Sequence, residues 1–209
     1  YAEVAGRAGV LGRWSPRIRE DERQWDAPIE DWYVGQPGMS ALVRPMSRNV
    51  ELRSGVGIHE IIQSQRGWEL QTDSGRQNHI FNAIAVAVPA PQALTLLGSH
   101  GRTFRHLHEV SMAPCWAGMF AFEQPVDTGA EVHRWTQGPL TWAACDSSKP
   151  NRPPGLHCWV VHASATWSRQ HLEDDAVAVA QLLLREFATA TGARLPELPK
   201  KPSGMDIAV

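Results

Sequence analysis

Three cysteines in 209 residues, Cys115, Cys145 and Cys158, cannot all pair, and no two of them stand at CxxC spacing. That excludes a disulfide-built fold and a cysteine-ligated zinc site. It predicts buried thiols in a reducing, cytoplasmic compartment. Positive charge is also scarce. Twenty Lys and Arg face 22 Asp and Glu, a net charge of −2, so nothing suggests a nucleic-acid partner held by bulk charge. No apolar run approaches the roughly 20 residues of a membrane span, and no membrane partner is expected. GxGxxG and GxxxxGK[ST] are both missing, so the chain has no phosphate-cradling loop of its own. There is no internal repeat and no low-complexity segment. The chain opens on Tyr1-Ala2-Glu3-Val4 without Met or a signal pattern, and Ser203 to Val209 reads as the start of a strand. A piece of a longer protein is the expectation.

Tryptophan is abundant instead. There are nine, against two Tyr and five Phe. Apolar residues make up 43% and charged residues 20%, enough to build a globular core. Residues 10–18 and 29–34 read as strands around a charged loop at 19–26. Gln36-Pro37-Gly38 signals a turn into a helix carrying Met39, Leu42, Val43 and Met46, shortened or kinked by Pro45. Residues 56–62 and the alternating Trp68, Leu70 and Thr72 form a hairpin across Gln65-Arg66-Gly67. The continuous apolar run Ile84-Ala85-Val86-Ala87-Val88 suits a central parallel strand. A helix follows, with Pro91 in its first turn. Residues 116–122, 140–144 and 157–164 read as strands, with a polar loop at 146–154. Asp174-Asp175 caps a long helix, closed by Gly192, whose buried face is Val177, Ala180, Leu183, Leu184, Phe187 and Ala188.

Two familiar chemistries fail on spacing. Gly38-Met39-Ser40-Ala41-Leu42 begins like a nucleophile elbow, but Leu42 replaces the second Gly and no buried strand precedes it. Ser40 reads as a helix-start serine. His106-Leu107-His108 has no third ligand at a usual spacing, so no metal site is expected. What remains is an aromatic-rich half with few acid–base candidates, which suits flavin chemistry. There the cofactor takes a hydride, and the protein supplies walls, orientation and dryness. Trp142, Trp159 and Trp167, with His162, are the candidate lining. Strand alternation puts Trp159 and His162 on opposite faces. His162 is favoured for the pocket, because a polar group among apolar neighbours needs a partner. A Trp-rich sheet that stacks on sugars or planar ligands without catalysis is the alternative, and it requires exposed Trp residues.

An ordered set of segments resembles the central part of the bacterial renalase-like proteins, FAD-dependent oxidoreductases of the flavin amine oxidase superfamily. The set is Tyr33-Val34-Gly35-Gln36-Pro37-Gly38-Met39-Ser40-Ala41, Ala87-Val88-Pro89-Ala90-Pro91-Gln92-Ala93, Pro114-Cys115-Trp116-Ala117, Leu140-Thr141-Trp142 with Ser148-Lys149-Pro150, and Trp159-Val160-Val161-His162-Ala163-Ser164 with Trp167-Ser168. The resemblance implies an α/β fold in which two domains interleave. A FAD-binding domain with a parallel sheet and a small antiparallel hairpin takes residues 36–100. A substrate domain on a mixed or antiparallel sheet takes 1–35 and 101–209. It also implies FAD as cofactor, a reduced nicotinamide nucleotide (NAD(P)H type) or an amine as small-molecule substrate, and oxygen as electron acceptor. Gly38, Met39, Val56, Ala87, Val88 and Pro89 resemble cofactor-binding positions, Val56 toward the adenine. Trp142, Lys149 and His162 resemble positions at the substrate face of the flavin, the candidate catalytic set. The family's opening GxGxxG and closing Gly-Asp motifs do not occur here. The 209 residues alone are therefore expected to hold FAD weakly and to be inactive.

Overall fold

The computed structural model describes residues 6, 9–21 and 23–195, together with the backbone of 205–208. The chain divides into two units, one made of Tyr1–Asn49 and Ala113–Val209, the other of Val50–Met112. These limits lie 12 to 14 residues beyond the divisions at 36 and 100 drawn from the sequence.

The first unit is built on a seven-stranded mixed sheet. Its strands are β2 (Ile18–Glu20), β3 (Arg23–Trp25), β8 (Ala117–Phe122), β9 (Val132–Arg134), β10 (Leu140–Cys145), β11 (His157–Ala163) and β12 (Met205–Ala208), in the order β12-β8-β11-β10-β9-β2-β3. All neighbours are antiparallel except β2 and β9, which run parallel. A separate two-stranded antiparallel sheet, a hairpin with β2 and β3 in its long connection, pairs β1 (Leu11–Trp14) with β4 (Trp32–Gly35).

Period-two alternation gives this sheet two faces. One carries Ala143, Cys145, Trp159, Val161 and Ala163 against the helix α3 (Ala176–Thr191). Asp175 caps α3 by accepting from the backbone N–H groups of Val177 and Ala178, and Gly192 ends it in the left-handed conformation at φ 69°. The buried face of α3 is Val179, Ala180, Leu183, Leu184 and Phe187. Val177 is exposed, because the cap puts it on the first turn, away from the sheet. A short helix α2 (Ala165–Gln170), capped by the Ser164 hydroxyl, leads into it. The opposite sheet face carries Ile18, Val132 and Ala144 and packs with Trp14 and Val34 of the hairpin.

The expected helix after Gly38 is only a 3-10 turn, Met39–Leu42, followed by turns. The "loop" at 19–26 contains β3 and part of β2, which pair with each other despite their charge.

The Val50–Met112 unit holds a three-stranded antiparallel sheet, β5 (Ile58–Ser64), β6 (Gly67–Thr72) and β7 (Gly75–Arg76), and the helix α1 (Ala90–Leu97). Pro91 sits in the first turn of α1 as expected. Gly67 takes φ 138°, and a Cβ there would stand 2.7 Å from the Phe81 carbonyl oxygen, so the hairpin return requires glycine. The run 84–88 is not a strand. It has no ladder partner among the described residues, its backbone is irregular, and Ala85, Ala87 and Val88 are exposed. Apolarity without neighbours to complete the ladder does not make a central strand. Among the described residues no helix is long and apolar enough to cross a membrane.

Candidate active site

The side of the seven-stranded sheet away from α3 gathers aromatic rings and cations. On it, β10 places Trp142 directly opposite Arg134 of β9 and His162 of β11. Cross-strand partners share a face. The three side chains therefore form one row, which continues to Glu20 on β2 and Ala117 on β8. The hairpin adds Trp14 and Trp32. Ring centres are 5.8 Å apart for Trp14 and Trp32 and 6.0 Å for Trp32 and Trp142. The Arg134 guanidinium lies 5.5 Å from the Trp32 ring centre and 5.3 Å from that of Trp142.

His162 is half-buried, and its strand alternates with the buried Trp159, Val161 and Ala163. The expected split of Trp159 and His162 onto opposite faces is what the sheet contains. No hydrogen bond engages the His162 ring among the described residues. Burial pulls its pKa below the ordinary histidine value, so the neutral imidazole prevails at pH 7. Trp159 is core: it is 2% exposed, its ring centre is 5.1 Å from that of Phe187, and its indole N–H donates to His157 Nδ1. Trp167 packs on the α3 side, 4.1 Å from the His171 ring.

Lys149 stands apart from the row. Its ammonium donates to Asp146 at 2.8 Å and lies 5.4 Å from the Trp14 ring centre. Asp146 also accepts from Arg152 Nε at 2.9 Å, and Arg152 Nη1 donates to the carbonyls of Gly35, at 2.9 Å, and of Pro37. Burial alone would raise the Asp146 carboxyl. Hydrogen bonds from Lys149 and Arg152 outweigh it and hold that carboxyl below its usual range. This ion cluster clamps the 146–152 loop onto the β1–β4 hairpin, whose Trp14 and Trp32 build the aromatic face. Gly12 of β1 leaves room for the clamp, since a Cβ there would meet the Pro150 ring at 2.6 Å.

The cofactor candidates divide between the two units. Gly38 precedes the 3-10 turn in the first, and the Met39 sulfur accepts from the Gly35 N–H at 3.1 Å while the side chain stays exposed. In the second, Val56 lines a cleft of about 450 Å³ with Arg53, Ile58, Leu70, His79 and Phe81. Ala87, Val88 and Pro89 are exposed and lead into the first turn of α1. Ser40 is exposed on the 3-10 turn, and His106 and His108 are exposed in another, Arg105–Glu109. Among the described residues no cluster of His, Cys, Asp or Glu could hold a metal ion.

Sequence reasoning missed Arg134. It stands between His133 and Trp135 with no local motif, and only the register of β9 against β10 brings it beside Trp142.

No protein-family model matches the chain. Solved structures resemble it. A protein of Exiguobacterium sp. 255-15, provisionally named a protoporphyrinogen oxidase, superposes with a TM-score of 0.64 at 15% identity over 87% of this chain. A putrescine oxidase double mutant gives 0.57 at 12% identity, again over 87%. Over the matched region the chain shares the mixed α/β fold of these two structures. The chain spans 40% of the length of each of these two structures.

Proposed function

We propose that this chain is the substrate-domain sheet, with part of the FAD-binding domain, of a flavin-dependent oxidoreductase. Its small-molecule substrate is a reduced nicotinamide nucleotide or an amine, and oxygen is the acceptor. The observation that carries the reading is the row of Trp142 beside a neutral, unengaged His162 on the aromatic face of the sheet. Such a face can hold a planar substrate against a flat partner.

The residues present fit FAD in part. The Val56 cleft combines apolar walls from Val56, Ile58, Leu70 and Phe81, against which an adenine could lie, with the polar or charged side chains of Glu51, Arg53, Thr72, Gln77 and His79. The sequence has neither of the glycine-rich motifs, GxGxxG or GxxxxGK[ST], that cradle a pyrophosphate. When bound, FAD supplies a two-electron acceptor for the substrate hydride. The chain's own residues position the substrate. Trp142 gives a flat apolar wall, and His162 gives one hydrogen bond that sets its orientation. Positioning precedes any need for a base in hydride transfer. Lys149 supports the site through Asp146 by fixing the hairpin that carries Trp14 and Trp32.

A non-catalytic Trp platform has little ring surface to work with: all nine Trp residues lie among the described residues, Trp14, Trp116 and Trp159 are buried and the other six are partly buried. The test is the visible spectrum of the full-length protein after gel filtration. Bound-flavin absorbance is expected, and a colourless protein that reconstitution with FAD leaves colourless contradicts the reading.

A further inference from the structure

We propose that Arg134 is a specificity-determining residue that takes a carboxylate or phosphate group of a planar substrate, so that the site selects anionic over neutral or cationic ligands. This rests on the flavoenzyme reading only in treating the aromatic face as the substrate side. Arg134 is exposed, yet two indole rings fix it in place. An arginine stacked on aromatic faces keeps the N–H donors along its edge free, in the fork that suits carboxylate and phosphate. No acceptor uses that fork. Among the described residues Arg134 has no ion pair and no side-chain hydrogen bond, although Glu20 is its neighbour in the row. The neighbouring acids are engaged elsewhere: Asp21, whose N–H donates to the Arg134 carbonyl, accepts from the Thr136 N–H and hydroxyl, and Glu131, immediately before β9, pairs with Arg17. Strands about 4.8 Å apart put Arg134 and His162 roughly 10 Å from each other across Trp142. A monocyclic ligand matches that span, with an anionic substituent toward Arg134, a polar edge toward His162 and its ring against the part of Trp142 that Trp32 and Arg134 leave uncovered. A simple cationic amine would meet the guanidinium as a like charge.

The experiment titrates the full-length protein with benzoate, phenyl phosphate and benzamide at low ionic strength, following tryptophan fluorescence, since Trp32 and Trp142 both flank Arg134. The anions share the ring of the neutral amide, so the affinity ratio isolates the charge, and comparing the two anions separates carboxylate from phosphate preference. At least one anion is expected to bind about ten- to a hundredfold more tightly than benzamide, the scale of a charge-assisted fork. Arg134→Gln should bring that ratio to about one, and Arg134→Lys, which keeps the charge but not the fork, should fall between. A wild-type ratio within about twofold of one, an unchanged ratio in Arg134→Gln, or no saturable response to any probe overturns the proposal. The readout does not use flavin. A colourless protein that still prefers anions would sink the oxidoreductase reading and leave Arg134 as an anion site. A yellow protein without the preference would do the reverse.

Discussion

Around the seven-stranded sheet, Trp159, Val161, Leu183 and Phe187 are exposed by 2% or less, whereas in the Val50–Met112 unit Val50, Leu52, Val56 and Val88 are exposed by 43–70%. The first region closes on its own core, with α3 on one face and the hairpin on the other. The second has Ile61 and Ala93 buried and Trp68 edge-on to His100, but its Val50, Leu52, Val56 and Val88 side chains are uncovered. Where such side chains adjoin, they offer a surface to a ligand or to another part of a protein. Stability should therefore reside in the sheet unit, and ligand contact should be the business of the Val50–Met112 surface and the aromatic sheet face.

Substitutions can break that comparison. The largest effect is expected from Phe187→Ala, which empties the space between α3 and Trp159. It should cost about 3–5 kcal/mol, read as a fall in the urea midpoint without a change in slope.

Next comes acid. His133 is 1% exposed, and its ring is hydrogen-bonded to Thr128 and stacked on Trp135. Burial, with the Arg19 charge second, pushes its pKa down to about 4 from the ordinary 6.5. The unfolded chain therefore binds the proton first on acidification. Stability is full above pH 6.5 and falls by roughly 3 kcal/mol as the pH drops to about 4. Chemical denaturation across that range should show the loss, and His133→Gln should flatten it.

Arg152→Ala should cost about 2 kcal/mol, because it strips the Gly35 and Pro37 carbonyls and one of the two partners of Asp146, which is itself one-third exposed. The same cluster has an acid limit of its own. The Asp146 carboxyl is held low in the fold, so its contribution is complete above the usual carboxylate pKa of about 3.9 and disappears as the pH falls through the lower folded value.

The smallest effect belongs to the other unit. Val56→Ala should change stability by less than about 0.5 kcal/mol. A large loss there would show that this surface is structural and contradict the division.

The sequence carried the parts of the fold that local pattern determines. The caps Asp175 and Gly192 bound α3, and the strands β8, β10 and β11 lie, to within one residue, in the apolar segments that read as strands. Strand alternation separates Trp159 from His162. Other features depend on pairing between distant segments. The charged strand β3 exists because β2 offers it an edge, and no residue within 23–25 signals it. The run 84–88 has the composition of a central strand but lacks the neighbours that would make it one. The α3 face slipped from Val177 to Val179 because the cap fixes where the first turn points. Of the candidate site, Trp142 and His162 were legible as polar and aromatic members of adjacent strands. Arg134 became visible only through register, and Lys149 proved to be bound to Asp146 by a loop that carries no periodic signal.

If, as proposed, the aromatic face holding Trp142 and His162 orients the substrate of a flavin-dependent reaction, removing the His162 ring should slow that reaction without loosening the fold. Anaerobic stopped-flow reduction of the bound flavin in His162→Ala, alongside its flavin content and melting temperature, tests this most directly. Reduction is expected to be about ten- to a hundredfold slower, equivalent to roughly 1.4–3 kcal/mol of lost orientation, with flavin content and melting temperature unchanged. Unchanged reduction with a lowered melting temperature would make His162 a packing residue and contradict the account.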